Sequence, residues 1–166
     1  MKEVSFMDNN NVFLTQKKFD EVWSRVTKAP PADTDILKTL MGYEYTDYNI
    51  YNALARKYSG ELRARFWEMA NDELRHFRML QGAYYILTGE KYVPKTPEKL
   101  SCAKLTELLK ERYKIELEAA SGYLKAAETA SADLADLYRS NAEDEKRHAK
   151  TALYLLGSTV KQAVKT

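Results

Sequence analysis

Two copies of one pentad constrain this chain more than any other feature. Asp72-Glu73-Leu74-Arg75-His76 is followed 72 residues later by Asp144-Glu145-Lys146-Arg147-His148. Both read D-E-x-R-H, and between them they hold the only two histidines in the sequence. A further glutamate stands 29 residues before each motif glutamate, Glu44 before Glu73 and Glu116 before Glu145. Four carboxylates and two imidazoles therefore recur as Glu…Glu-x-x-His, twice, at one spacing. Residues three apart share a helix face. Two helices carrying E-x-x-H and two carrying a lone Glu make up the ligand inventory of a dinuclear metal site inside a four-helix bundle.

Hydrophobic periodicity supplies the helices. It predicts four, over about 34–58, 61–88, 101–129 and 132–157, with Asp33 or Thr34 capping the first, Thr96 or Ser101 the third, and Gly157 ending the fourth. Within about 60° of Glu44 on a helical wheel lie Leu37, Leu40, Met41, Tyr48, Tyr51, Ala55 and Tyr58. Glu73 falls in the same way among Phe66, Met69, Ala70, Phe77 and Leu80. A carboxylate in the middle of an apolar stripe is costly unless something positive meets it. Glu44 and Glu73 lie at similar distances from the turn between their helices, as do Glu116 and Glu145, so both pairs meet near mid-bundle.

The stretch 89–101 contains Pro94 and Pro97 and has little helical pattern. Extended, it spans about 43 Å, enough to cross the whole bundle. A short amphipathic helix carrying Phe19, Val22, Trp23 and Val26 precedes Pro30-Pro31, either covering a bundle groove or serving as a dimerisation arm. The expected organisation is an extension over 1–33, a bundle over 34–157 and a tail over 158–166. Tyr51/Tyr123, Phe66/Tyr138 and Ala70/Ala142 match at the ligands' own offset, the mark of a duplicated αα-hairpin.

Composition narrows the partners. A net charge of +2, with lysines spread along the chain, argues against a nucleic-acid surface, and a single cysteine, Cys102, excludes a Cys-x-x-Cys metal knuckle. No apolar run approaches a membrane span and no signal segment is visible, so a cytoplasmic location is expected. Trp67, Leu74 and Tyr85 form a second stripe, covered by a neighbouring helix or by a second subunit in a homodimer.

The roles separate by position. Glu73 and Glu145 take bridging places, Glu44 and Glu116 terminal ones, and His76 and His148 give one nitrogen to each ion. This oxygen-rich set suits two Fe ions, or Mn. Asp72 and Asp144 are placed to accept the histidine N–H from the neighbouring hairpin, and Arg75 and Arg147 either hold those aspartates or are ordinary surface arginines. Two residues break the symmetry: Asp47 stands opposite Ala119 in the repeat, and Arg112 opposite Leu40. Asp47 is either an extra oxygen near one ion or the acceptor for Arg112. Tyr48, Tyr51 and Tyr123 face the site, as hydrogen-bond donors to carboxylates or as electron relays.

At Glu44–Tyr51, Trp67–His76 and Asn141–Ala149 the chain resembles the ferritin-like diiron-carboxylate superfamily, and within it the rubrerythrins; the D-E-x-R-H form also resembles the oxygen-activating diiron oxidases. The resemblance covers about 34–157. It implies an all-α ferritin-like bundle of two αα-hairpins joined by a long crossover. The implied activity is diiron reduction of hydrogen peroxide or dioxygen. Rubrerythrins draw electrons from a rubredoxin-like iron on a cysteine-rich tail. This sequence runs to Thr166 without one, so an external electron-donor protein is expected. The family's additional glutamate, three residues after the lone Glu of the third helix, is replaced here by Ala119, and Asp47 is the candidate substitute. On this reading Glu73, Glu145, Asp47, Tyr48, Tyr51 and Tyr123 are the catalytic candidates. Iron handling by a ferroxidase, a dimanganese catalase and a purely structural metal bundle are the alternatives.

Overall fold

The computed structural model describes residues 31–95 and 104–164. These form four helices and no strand: α1 (Pro31–Lys57), α2 (Gly60–Thr88), α3 (Leu105–Thr129) and α4 (Ala132–Ala163). The expected helix at 15–26 and Cys102 lie outside the described residues. Three helix ends differ from the sequence-based expectation. α1 begins at Pro31, because a proline in the first helical position gives up only an N–H that has no helical acceptor. α3 begins at Leu105 with extended Lys104 before it; the expected caps Thr96 and Ser101 lie outside the described residues. α4 runs through Gly157 as far as Ala163, since a glycine inside a helix costs only about 1 kcal/mol and flanking apolar contacts carry the chain on. Gly89, by contrast, ends α2 in the left-handed region at φ 72°, its N–H returning to Tyr85 O at 2.8 Å.

α1 packs on α2 and α3 on α4, and α2 meets α4 across the two hairpins. Side-chain pairs give the directions. Tyr51 meets Glu116 while Tyr123 meets Glu44, so α1 and α3 are antiparallel. His76 meets Asp144 while His148 meets Asp72, so α2 and α4 are antiparallel too. α2 and α3 thus run the same way, and the segment joining them must return along the bundle: the topology is up-down-down-up. Its start already does so. Tyr92 turns back onto Phe77 and Tyr84, and Gln81 Nε2 donates to Tyr92 O at 2.9 Å; residues 96–103 lie outside the described residues.

The core has two apolar layers. One is built from Leu37, Met41, Phe77, Leu80, Tyr84 and Tyr138 with their neighbours, the other from Leu54, Phe66, Met69, Leu109 and Leu155. Alanines on α4 (Ala142, Ala149 and Ala152) let the helices approach. Leu155 is buried one turn further on, with Leu156 partly buried beside it. Leu74 packs on the first layer, whereas Trp67 and Tyr85 are exposed on α2. No described helix is long and apolar enough to cross a membrane.

Candidate metal centre

Between the two apolar layers lies a polar one. Glu44, Glu73, His76, Glu116, Glu145 and His148 are all at most 4 % exposed. Each helix contributes its inward stripe at mid-length, and the three-residue step of E-x-x-H places Glu73 with His76, and Glu145 with His148, on one face. Two clusters result: Glu44, Glu73, His76 and Glu145, and Glu73, Glu116, Glu145 and His148, each with its donor atoms within 4.8 Å of one another. Glu73 and Glu145 belong to both.

The histidine rings are aimed alike. His76 Nδ1 lies 3.1 Å from Glu44 Oε2, 3.1 Å from Glu145 Oε1 and 3.4 Å from Glu73 Oε2. His148 Nδ1 lies 3.0 Å from Glu73 Oε1, 3.4 Å from Glu145 Oε2 and 3.8 Å from Glu116 Oε2. Both Nε2 atoms face away from the carboxylates, toward an aspartate on the other hairpin: His76 to Asp144 at 3.1 Å and His148 to Asp72 at 3.2 Å. An ionised aspartate only accepts, so each Nε2 carries the proton and each Nδ1 is the nitrogen left to bind something positive.

The rest of the pentad holds those aspartates. Arg75 Nη2 donates to Asp72 at 2.9 Å and to Asp144 at 2.6 Å, while Arg147 donates to Asp72 at 2.8 Å and also to Asp144. The hydrogen bond from His148, with Arg147 beside it, holds the Asp72 carboxyl well below the usual range. Burial pushes Asp144 up, but His76 and Arg147 outweigh it and hold that carboxyl low as well. Every letter of D-E-x-R-H except x is therefore used, and the α2/α4 side of the site is closed by a cross-linked lattice of two arginines and two aspartates.

On the other side the terminal carboxylates are held by phenols. Tyr51 donates to Glu116 Oε1 and Tyr123 to Glu44 Oε1, each reaching across to the other hairpin. Tyr48 is half-buried beside Tyr45 and, among the described residues, makes no hydrogen bond to a site carboxylate. The symmetry ends at Arg112. Its guanidinium is 2.7 Å from Asp47 Oδ1, 2.6 Å from Glu116 Oε1 and 2.9 Å from the Tyr51 hydroxyl. Of the two readings open for Asp47, the structure places it as the partner of Arg112, outside both clusters. The counterpart beside Tyr123 is Asn141, whose Nδ2 donates to that hydroxyl at 3.2 Å. Sequence reasoning passed over Asn141; a buried polar residue where the repeat has Met69 was the signal available.

Glu73 Oε1, Glu116 Oε2, both Glu145 oxygens and His148 Nδ1 are buried without an aligned hydrogen bond among the described residues, each such oxygen having only a histidine Nδ1 within 3.8 Å as a positive neighbour. Two imidazoles for four buried carboxylates leave the layer short of positive charge, a cost that bound cations would offset. Four carboxylates match the charge of two divalent ions, and oxygen with imidazole nitrogen is the donor chemistry of iron or manganese. The residues therefore fit a pair of metal ions. Burial raises the Glu44 and Glu116 carboxyls well above the ordinary range. That penalty is what a bound cation would lift.

Fold and site together define an all-α bundle protein whose two adjoining carboxylate–histidine clusters are consistent with a di-metal site. A family model described as Rubrerythrin matches residues 35–156, and the chain belongs to that family. It is also similar to the uncharacterized protein YhjR of Bacillus subtilis (strain 168), 32 % identical over 122 residues that make up 72 % of this chain and 83 % of the relative. No solved structure matches. Family and clusters support a redox-active, metal-binding protein in general terms, and favour no particular reaction.

Proposed function

We propose that this protein is a diiron oxidoreductase that reduces hydrogen peroxide to water with electrons from a separate donor protein. The observation that supports the reading is the sharing of Glu73 and Glu145 between two otherwise separate clusters, which would set two ions side by side rather than apart. A pair of irons held there would supply the two electrons with which peroxide and two protons become two waters. Glu44 with His76 would hold one ion and Glu116 with His148 the other, with Glu73 and Glu145 within reach of both. Tyr51 and Tyr123 anchor the terminal carboxylates. Asp47 supports the proton side: burial pushes its carboxyl up to about 6 against the pull of Arg112, and it borders the same cavity as Glu44 and Glu145.

Stopped-flow oxidation of the diferrous protein tests this. Peroxide should oxidise it faster than dioxygen, and Asp47→Asn should slow that reaction with both ions retained. Glu73→Ala should lose metal and activity together. Dioxygen reacting much faster than peroxide would transfer the assignment to an oxidase or ferroxidase.

A further inference from the structure

The polar layer is sealed by the arginine–aspartate lattice between α2 and α4, but between α1 and α3 a cavity of about 530 Å³ reaches Glu44 and Glu145. Peroxide and dioxygen need no such volume, which lies within the roughly 300–1,000 Å³ range of small-molecule sites. Nor is it an accident of two similar helices meeting. Where α1 carries Ile50, the repeat puts Gly122 on α3; where α1 carries Asp47, it puts Ala119. Both small residues line the cavity, and a Cβ built on Gly122 meets nothing within 4 Å. The space is thus opened on one helix by departures from the repeat.

We propose that this groove binds an uncharged, apolar organic molecule against the edge of the metal centre. Its walls include Leu40, Ile50 and Ile115, which give such a molecule apolar surface to bury. Its polar groups exclude an acid. Glu44, Asp47 and Glu145 lie toward the centre and Glu118 also lines it. The one cation on the wall, Arg112, is already turned to Asp47, Glu116 and Tyr51. With metal bound, the four site carboxylates are balanced and Asp47 is paired with Arg112; the charge left over, Glu118, is exposed and screened by solvent, so a positively charged end gains little either. The position of the molecule beside the ions rests on the metal centre proposed above; the existence of the groove does not.

The probes are 1-octanol and octanoate, which share a chain and differ in charge, with the full chain loaded with Mn(II). Calorimetry or ligand-observed NMR should show saturable octanol binding, weakened about tenfold in Gly122→Ile, which places in α3 the side chain that α1 already carries. Met79→Leu, at an exposed position on α2, should leave binding unchanged, and octanoate should bind about tenfold more weakly than octanol. No octanol binding, equal affinity in Gly122→Ile, or octanoate binding as well as octanol would each overturn the proposal. Bound Mn(II) should also shorten the relaxation of octanol protons. Octanol binding that is sensitive to Gly122→Ile without that shortening would uphold the groove and count against the metal centre. Two bound ions without octanol binding would do the reverse.

Discussion

Arg112 stands where the first half of the repeat has Leu40, and its guanidinium is buried among Asp47, Tyr51 and Glu116. Removing one partner of a buried ion pair leaves the other uncompensated, at a cost of about 3–5 kcal/mol. Arg112→Leu should therefore destabilise the metal-free protein by about that amount. The metal-loaded protein should lose less, because an ion on Glu116 offers the carboxylate another positive neighbour. Equal losses in melts run with and without metal would count against an ion at Glu116. The histidines carry a second prediction. Burial pushes His76 and His148 down, but the surrounding carboxylates prevail and hold both well above the usual histidine range in the metal-free protein. Both rings are then protonated near pH 7, and binding through Nδ1 must expel protons. Metal affinity should rise with pH between about 6 and 8, with about one proton or more released per chain. Calorimetry in two buffers of different ionisation heat reads this directly, and a proton count of zero would rule out imidazole ligation.

Gly89 and Gly157 separate at the scale of the element. Gly89 adopts φ 72° to close α2, a region where a side chain costs about 1–2 kcal/mol. Gly157 lies within α4, where a Cβ meets nothing within 4 Å. Gly89→Ala should lower unfolding stability by about 1 kcal/mol and Gly157→Ala should raise it by about 0.5–1 kcal/mol. Urea midpoints for the pair check the helix boundary itself: a loss at Gly157 would mean that the helix stops there. The sequence pattern shows that helices exist and which face is inward, since both follow from a 3.6-residue period. It places their ends poorly, because Gly157 has the same identity whether it stops a helix or sits within one, and tertiary contacts decide between the two.

For the molecule as a whole, the apolar layers above and below the site are continuous across helices, while the mid-layer joins them through buried carboxylates. Metal bound only by the native state stabilises it by mass action. Stripping the metal should lower the melting temperature while most of the helical circular dichroism survives, because both apolar layers remain packed. A melting temperature indifferent to metal would uncouple the ions from the fold.

The repeat was legible because ligand geometry leaves few alternatives. A histidine three residues after a glutamate, twice, at one offset from two further glutamates, determines which six side chains can converge and that four helices must carry them. The accepting role of Asp72 and Asp144 follows from the same periodicity, since it places each on the flank of its own helix that faces the other hairpin. Three matters lay beyond any one-dimensional pattern. Whether Asp47 turns to an ion or to Arg112 depends on the distance between α1 and α3, which a spacing along the chain does not contain. Arg75 and Arg147 become a lattice only when α2 and α4 lie antiparallel. The groove at Gly122 and Ala119 is likewise a property of two helices held apart: a small residue in a sequence becomes space only when the neighbouring helix does not move in to fill it.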